Sequence, residues 1–138
     1  AVGQLRSAGY RPILAHAERY RCLDAHLPWI GEFRGGGGAV QINAADAVGD
    51  WGRAAKGLWK KLVRNRLVDL VSSDGHHLTS RQPKMSVCIG FLSRFCNADT
   101  VRALTWENAW RVVRDEPLGG AIADNIPERI PAVTSERT

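Results

Sequence analysis

Residues 67–77 read LVDLVSSDGHH and join a short apolar run to a polar turn. The run is rich in aliphatic and β-branched residues, which favour a buried strand. It ends in a polar cluster, and Gly75 permits a tight turn directly afterwards. We therefore predict a strand over 67–74, with Asp74 at its carboxyl end and His76 in the loop that follows.

Two earlier segments, RPILAH at 11–16 and AVQIN at 39–43, also read as short strands that end in a polar residue. Apolar residues at helical spacing mark the segments between and after them. These predicted helices cover 1–9, 20–33 (divided at Pro28), 52–66 and 84–96, and helical patterns continue to about 114. Strands that alternate with helices indicate βαβ units, so the predicted fold class is α/β with parallel strands and outer helices.

The chain is long enough for one domain, which we place at 1–115. Residues 116–138 contain three prolines and two glycines without a sustained period, so we expect a mostly disordered tail. The first residues begin inside a predicted helix and lack an initiator Met, so we interpret the sequence as part of a longer protein. No apolar run approaches the ~20 residues of a membrane helix.

The formal net charge of +5 is concentrated in one stretch, because six of the 19 Lys and Arg residues lie between 53 and 66. The pattern predicts an amphipathic helix with a solvated basic face and Trp59 in its apolar stripe. A nucleic-acid or membrane-binding module remains the alternative for this stretch. The cysteines, Cys22, Cys88 and Cys96, match no zinc or redox spacing and are read as reduced thiols, the last two on one helix.

His16, Asn43 and Asp74 each fall at the carboxyl end of a predicted strand. Parallel strands present these ends at one edge of the sheet, where ligands and substrates usually bind. An imidazole at His16, with the Asp74 carboxylate and the His76 imidazole, is a ligand set that suits Mn²⁺, Fe²⁺ or Zn²⁺. Ordinary polar loops remain the alternative for each segment taken alone.

Arginines follow both proposed ligand segments, Arg19 three residues after His16 and Arg81 five residues after His76. A planar guanidinium can donate hydrogen bonds to two phosphate oxygens at once, and a divalent metal polarises the phosphoryl group. Together they suit the hydrolysis of a phosphate monoester. The alternative for the first segment is a surface loop with Glu18 and Arg19 in solvent.

The segment LVSSDGHHLTSRQP resembles the closing motif of the bacterial polymerase-and-histidinol-phosphatase (PHP) superfamily. RPILAHAERY and VQINAADAVGDWG are similar to the capsule and exopolysaccharide tyrosine phosphatases of the CpsB/CapC/YwqE type. The resemblance runs from residue 1 to about residue 114. It departs at Asn108-Ala109, where members of the family usually read Asn-Pro.

The resemblance implies a cytoplasmic enzyme built as a distorted (β/α)7 PHP barrel, of which residues 1–115 would be the C-terminal part. It implies a cluster of divalent metals, usually Mn²⁺, and hydrolysis of phosphotyrosine by metal-activated water without a phosphocysteine. The substrate would be an autophosphorylating bacterial tyrosine kinase that controls polysaccharide export, and neither nucleic-acid binding nor membrane insertion is expected. The implied roles are metal ligand for His16, Asp74 and His76, and phosphate contact for Arg19 and Arg81.

The family's opening His-x-His motif and a bridging Glu have no counterpart in this sequence. A partial ligand set should bind metal weakly, so we expect the 138-residue chain to be poorly active alone. Three alternatives remain: another PHP-type phosphoesterase such as a histidinol phosphatase or a polymerase-associated exonuclease, an inactive remnant, and a basic binding module.

Overall fold

Three short parallel strands form the sheet of the computed structural model, which describes residues 2–79 and 82–118. β1 (Ile13–Leu14), β2 (Ala39–Asn43) and β3 (Leu70–Ser72) lie side by side in chain order. The predicted α/β class with parallel strands is confirmed. Every residue of the central strand β2 is buried, as expected for a parallel sheet covered on both faces.

The outer strands are shorter than predicted, and their sequences explain why. Pro12 has no N–H to contribute to a ladder, so β1 begins only at Ile13. In front of β3 the side chain of Asp69 accepts the Val40 N–H at 2.9 Å, so a carboxylate takes a place that a strand carbonyl would otherwise fill. Regular pairing of β3 therefore starts at Leu70.

Helices alternate with the strands, as predicted. Pro28 lies in the first turn of α2, where a missing N–H is tolerated, so the predicted break in 20–33 is confirmed. The helical elements are α1 (Val2–Ser7), α2 (Leu27–Gly35), α3 (Gly52–Arg64), α4 (Ser86–Leu92), α5 (Ala98–Arg102) and α6 (Asn108–Val113), a π-helical turn at Ala103–Glu107, and 3₁₀ turns at Ala17–Arg19, Arg21–Ala25 and Ala45–Ala47.

The prediction that Cys88 and Cys96 share a helix is wrong, because α4 ends at Leu92. A new helix, α5, begins at Ala98, and the Asn97 side chain accepts the Thr100 N–H at 2.8 Å and caps its start. Asparagine is a strong helix N-cap, which explains why α5 starts just after the predicted helix over 84–96.

Helix α3 anchors the sheet through the apolar stripe predicted for it. Trp59 is fully buried, and its indole N–H donates to the carbonyl oxygen of Asn43 at 3.0 Å, which ties the helix to the carboxyl end of β2. The basic residues of this stretch, Arg53, Lys56, Lys60, Lys61, Arg64 and Arg66, are exposed or half-buried. The predicted solvated basic face is therefore confirmed.

A buried ion pair closes the amino-terminal end of the sheet. The Arg34 guanidinium grips Asp69 with two bonds, Nε to Oδ2 at 2.8 Å and Nη2 to Oδ1 at 2.6 Å. Arg34 also donates to the Arg66 carbonyl oxygen, and the buried Asn108 amide donates to the carbonyl oxygen of Asp69. Both charges of this pair are thus satisfied by several hydrogen bonds, as a buried pair requires.

Among the described residues, no helix has the length and apolar character needed to cross a bilayer. The predicted tail at 116–138 lies outside the described residues from 119 onward.

Candidate active site

The carboxyl edge of the sheet brings three of the predicted polar residues into contact. The Asn43 amide lies between the other two: its Oδ1 is 3.0 Å from His16 Nδ1, and its Nδ2 donates to Asp74 Oδ2 at 3.2 Å. Asn43 is the last residue of β2 and is fully buried. The predicted placement of these residues at neighbouring strand ends is confirmed.

His16 and Asp74 share an unusual backbone conformation. Both are left-handed, with φ of 55° and 52°, and each lies two residues after its strand. This conformation costs an L-residue about 1–2 kcal/mol, although aspartate tolerates it better than most. The chain therefore leaves both strands by the same sharp turn, and the two side chains meet beside Asn43.

His76 lies further out in the loop after β3. Its Nδ1 donates to the carbonyl oxygen of Asp74 at 2.7 Å and is 3.8 Å from Asp74 Oδ1. The loop is tight at Gly75, where an added Cβ would lie 2.7 Å from the Cα of Pro83. The His76 side chain is half-exposed, so it borders the site from the solvent side.

Arg19 is held against the same edge by two different contacts. Its Nε donates to Asp46 Oδ2 at 2.9 Å, and the Trp51 ring lies 4.2 Å from its guanidinium carbon. Its Nη1 lies 3.7 Å from Asp74 Oδ2. The guanidinium is thereby fixed next to the two proposed ligands, in a 3₁₀ turn where the sequence had predicted a loop.

The burial of Glu18 contradicts the alternative in which this segment is a solvated surface loop. Its side chain is fully buried, and its Oε1 accepts the Asn43 N–H at 3.0 Å. Burial, followed by a hydrogen bond to the equally buried Asp46, raises the pKa of Glu18 to about 8. When Glu18 is protonated, its carboxyl group can donate a hydrogen bond to the buried Asp46 carboxylate.

The donor chemistry at this edge fits a divalent metal. Each imidazole has its Nδ1 engaged, His16 with Asn43 and His76 with the Asp74 carbonyl, which is the usual arrangement when Nε2 binds a metal. Within residues 2–79 and 82–118, however, no three His, Cys, Asp or Glu side chains converge tightly enough to hold an ion. Asp74 instead faces Asn43 and Arg19. Arg81 lies outside the described residues.

Sequence reasoning missed the residues that support this edge. Gln41, Glu18 and Asp46 are buried polar side chains that connect directly to the predicted site residues. Asp46 follows β2 by three residues, so the strand-end rule that selected Asn43 also points to it. Gln41 gave no such signal, because a polar residue inside a strand is expected to face solvent.

A cleft of about 560 Å³ opens beside Arg19. Val48, Trp51 and Val87 give it an apolar wall, and Lys84 adds a positive charge. Asp50, Ser73, Thr79 and Gln82 also line it, so the cleft combines an apolar wall with charged and neutral polar groups.

The cysteines take no part in this edge as nucleophiles. Burial raises the pKa of the Cys88 thiol to about 12 and also raises that of Cys96, so neither is a thiolate at neutral pH. Cys22 is exposed on the 3₁₀ turn Arg21–Ala25, and all three cysteines are free.

The carboxyl edge of this α/β sheet gathers imidazole, carboxylate and guanidinium groups, and comparisons with known proteins identify the family of the chain. The capsular polysaccharide synthesis family CpsB/CapC matches residues 1–114. The chain belongs to this family.

Individual relatives agree with the family match. CapC of Staphylococcus aureus is 35% identical over 78 residues, which are 56% of this chain and 31% of the relative. The tyrosine-protein phosphatase YwqE of Bacillus subtilis is 27% identical over 114 residues, covering 83% of this chain and 44% of YwqE. The tyrosine-protein phosphatase CpsB of Streptococcus pneumoniae is 26% identical over 113 residues, covering 78% and 46%.

A solved structure supports the same conclusion. It comes from work on YwqE and CpsB, described there as unique metal-dependent tyrosine phosphatases, and superposes with a TM-score of 0.76 at 25% identity over 86% of this chain and 47% of the solved one. This chain spans less than half the length of each of these relatives.

Proposed function

We propose that this chain supplies one part of the active site of a metal-dependent protein-tyrosine phosphatase. The observation that carries the proposal is the contact network at the carboxyl edge, where Asn43 joins His16 to Asp74 and Arg19 lies alongside. Relatives that share this segment are named tyrosine-protein phosphatases, and the matching structure is described as metal-dependent.

His16, Asp74 and His76 are the proposed metal ligands. A divalent metal, for which we propose Mn²⁺, would activate water and polarise the phosphoryl oxygens when bound. The chain's own residues would orient the phosphate. Arg19 is held at Nε by Asp46, and its terminal nitrogens, of which Nη1 lies 3.7 Å from Asp74 Oδ2, are proposed to contact phosphate oxygens. Arg81 is proposed as the second phosphate contact.

The cleft beside Arg19 supports the proposed substrate class. A tyrosine ring is flat and largely apolar, and it would lie against Val48, Trp51 and Val87 while its phosphate reaches Arg19. We propose that the physiological substrate is an autophosphorylating tyrosine kinase of capsule or exopolysaccharide synthesis, in the cytoplasm. This agrees with the capsular polysaccharide family to which the chain belongs.

The described sheet would be part of a larger barrel. We propose that residues 1–115 form the C-terminal portion of a distorted (β/α)7 PHP barrel and that further strands complete the metal ligands. This would explain why the described residues bring Asp74 and the two imidazoles near each other without closing them around one point.

The direct test is hydrolysis of a phosphotyrosine peptide by the 138-residue chain with added Mn²⁺. We expect weak, Mn²⁺-dependent turnover that His16→Ala and Asp74→Ala abolish, while the exposed control Asp24→Asn leaves it unchanged. A p-nitrophenyl phosphate rate equal to that of full-length YwqE would contradict the partial-site proposal. Preferential hydrolysis of histidinol phosphate would favour another PHP-type phosphoesterase.

A chimera provides the second arm of this test. Exchanging the matching segment of YwqE for residues 1–114 should give a protein that hydrolyses phosphotyrosine, and Arg19→Ala in the chimera should reduce its kcat by about 10²–10³, the usual loss for one stabilising donor. A folded chimera without activity would argue that this chain is an inactive remnant.

A further inference from the structure

We propose that Gln41 and Asn43 form a hydrogen-bond relay that fixes the His16 imidazole with its proton on Nδ1, so that Nε2 is the nitrogen presented to a divalent cation. The role of His16 toward the cation rests on the proposed function. The relay itself stands on contacts among buried side chains and requires no metal.

The orientation of the Gln41 amide is determined by two backbone groups. Its Oε1 lies 2.9 Å from the His16 backbone nitrogen, which can only donate. Its Nε2 lies 2.7 Å from the carbonyl oxygen of Ile42, which can only accept. Turning the amide over would set donor against donor and acceptor against acceptor, so Nε2 is the donating end.

The Asn43 amide is oriented in turn by Gln41. Gln41 Nε2 shares its two hydrogens among the Ile42 carbonyl oxygen, Ser72 Oγ at 2.8 Å and Asn43 Oδ1 at 2.9 Å. Because the atom of Asn43 that faces this donor must accept, it is the carbonyl oxygen. The Asn43 Nδ2 then faces the Asp74 carboxylate at 3.2 Å, where a donor is needed. A flipped Asn43 would place an oxygen against the carboxylate and a nitrogen against the Gln41 donor.

The His16 ring is the last member of this series. Its Nδ1 lies 3.0 Å from Asn43 Oδ1, which only accepts, so Nδ1 must carry the hydrogen. In the neutral ring Nε2 then keeps its lone pair. Free histidine in water favours the opposite form, with the proton on Nε2, so the relay reverses the intrinsic preference of the ring.

The same Asn43 side chain also contacts Asp74, so one buried amide sets the positions of two proposed ligands. Its main chain is fixed independently, because its N–H donates to Glu18 and its carbonyl oxygen accepts from Trp59. Asn43 and Gln41 are therefore positioning residues that act through His16 and Asp74.

The test is the tautomer of His16 in the metal-free chain, read from long-range ¹H–¹⁵N NMR spectra at about pH 8.5, where ordinary histidine side chains are neutral. A His16→Gln variant assigns the signals. We expect a protonated, pyrrole-like Nδ1 and a pyridine-like Nε2. A wild-type ring with its proton on Nε2 would overturn the relay.

Three variants separate the relay from general packing. Asn43→Ala removes the acceptor and should shift the majority of His16 to the Nε2–H form, whereas Asn43→Asp keeps an acceptor and should retain the proton on Nδ1. Gln41→Glu keeps the side-chain shape but removes the donor that orients Asn43, and it should give a mixture of the two His16 tautomers. This variant keeps the test decisive if Asn43→Ala does not fold. Retention of a pure Nδ1–H form in Gln41→Glu and Asn43→Ala would contradict the relay.

His26 is the internal control. Its Nδ1 donates to the carbonyl oxygen of Cys22 at 2.8 Å, outside this network, so its tautomer should not change in any variant. Titration with Mn²⁺ then separates the relay from the proposed function. A correct tautomer without paramagnetic broadening of the His16 signals would leave the relay standing and refute the metal-ligand role.

Discussion

The two ends of the sheet use buried charge in opposite ways. At the amino end, Arg34 and Asp69 form a two-bond ion pair in which each charge meets its partner and further backbone groups. At the carboxyl end, two acids, Glu18 and Asp46, are buried together with Arg19 bound to one of them. The amino end satisfies its charges internally, whereas at the carboxyl end the His16 imidazole and the Asp74 carboxylate both contact the Asn43 amide.

Left-handed backbone conformations are not confined to the carboxyl end. His16 and Asp74, both at the carboxyl end, adopt left-handed conformations, although Arg66 and Asp115 do so elsewhere. From the difference in buried charge between the two ends, we predict that the amino edge of the sheet chiefly supports stability and the carboxyl edge chiefly supports metal binding. Substitutions at the amino end should therefore reduce stability, and those at the carboxyl end should chiefly alter metal binding.

The largest expected effect is at the amino end. Asp69→Ala leaves the Arg34 guanidinium buried without its partner and should lower the free energy of unfolding by about 3–5 kcal/mol, measured by urea denaturation. The control is Asp24→Ala, which breaks the exposed pair with Lys61 and should cost less than about 1 kcal/mol. Equal losses in the two variants would contradict the distinction between buried and exposed pairs.

The next effect concerns pH and the buried acid pair. The pKa of Glu18 is raised from 4.5 to about 8 in the folded chain, so between these values the folded state binds more protons than the unfolded state. Its contribution to stability is therefore complete below about pH 4.5 and is lost as the pH rises through about 8.

Glu18→Gln should remove this dependence. In the metal-free chain, the difference in unfolding free energy between wild type and variant should move in favour of the variant from pH 5 to pH 8. Denaturation curves at several pH values with a chelator present would measure it. A difference that stays constant over this range would show that Glu18 is ionised in the folded state.

A smaller change in stability is expected at Asp74. Asp74→Asn keeps the side-chain shape and removes one charge from a partly exposed loop. The free energy of unfolding should therefore change by less than about 1 kcal/mol, measured in the same urea titrations. Its side chain is 26% exposed, against 11% for Asp69. A loss comparable to that of Asp69→Ala would mean that the carboxyl end is also a structural element.

The last prediction requires no substitution and concerns chemical labelling of the thiols in the folded chain. Cys22 should react with a maleimide at pH 7, whereas Cys88, which is buried and has a raised pKa, should react only after unfolding. Mass spectrometry of the labelled peptides would distinguish the sites. Rapid native labelling of Cys88 would contradict the packing described for α4.

The general plan of the fold and the location of the site could be predicted from the sequence. Alternating strand and helix patterns indicated a parallel sheet, and β2 was predicted at the observed residues 39–43. The strand-end rule then placed His16, Asn43 and Asp74 together. Short-range pattern was sufficient for these features because each depends on residues adjacent in the chain.

The support beneath the site could not be predicted, because it depends on register and packing. Gln41 reaches the His16 backbone only because β1 and β2 pair with Leu14 opposite Val40. Glu18 was left as a possible solvent-exposed residue, since nothing local shows that α3 covers it. The predicted helix over 84–96 extended past the observed end of α4 at Leu92 because apolar residues continue at Phe95 and Cys96.

Mn²⁺ binding to three forms of the chain tests the central claim most directly. Isothermal titration of wild type, Asp74→Asn and Asp69→Asn compares the two ends of the sheet with the same substitution. We predict weak, saturable Mn²⁺ binding whose affinity Asp74→Asn reduces at least about tenfold, whereas the folded fraction of Asp69→Asn binds Mn²⁺ with the wild-type affinity. Equal Mn²⁺ affinity in wild type and Asp74→Asn would contradict the assignment of the carboxyl edge as the metal-binding end.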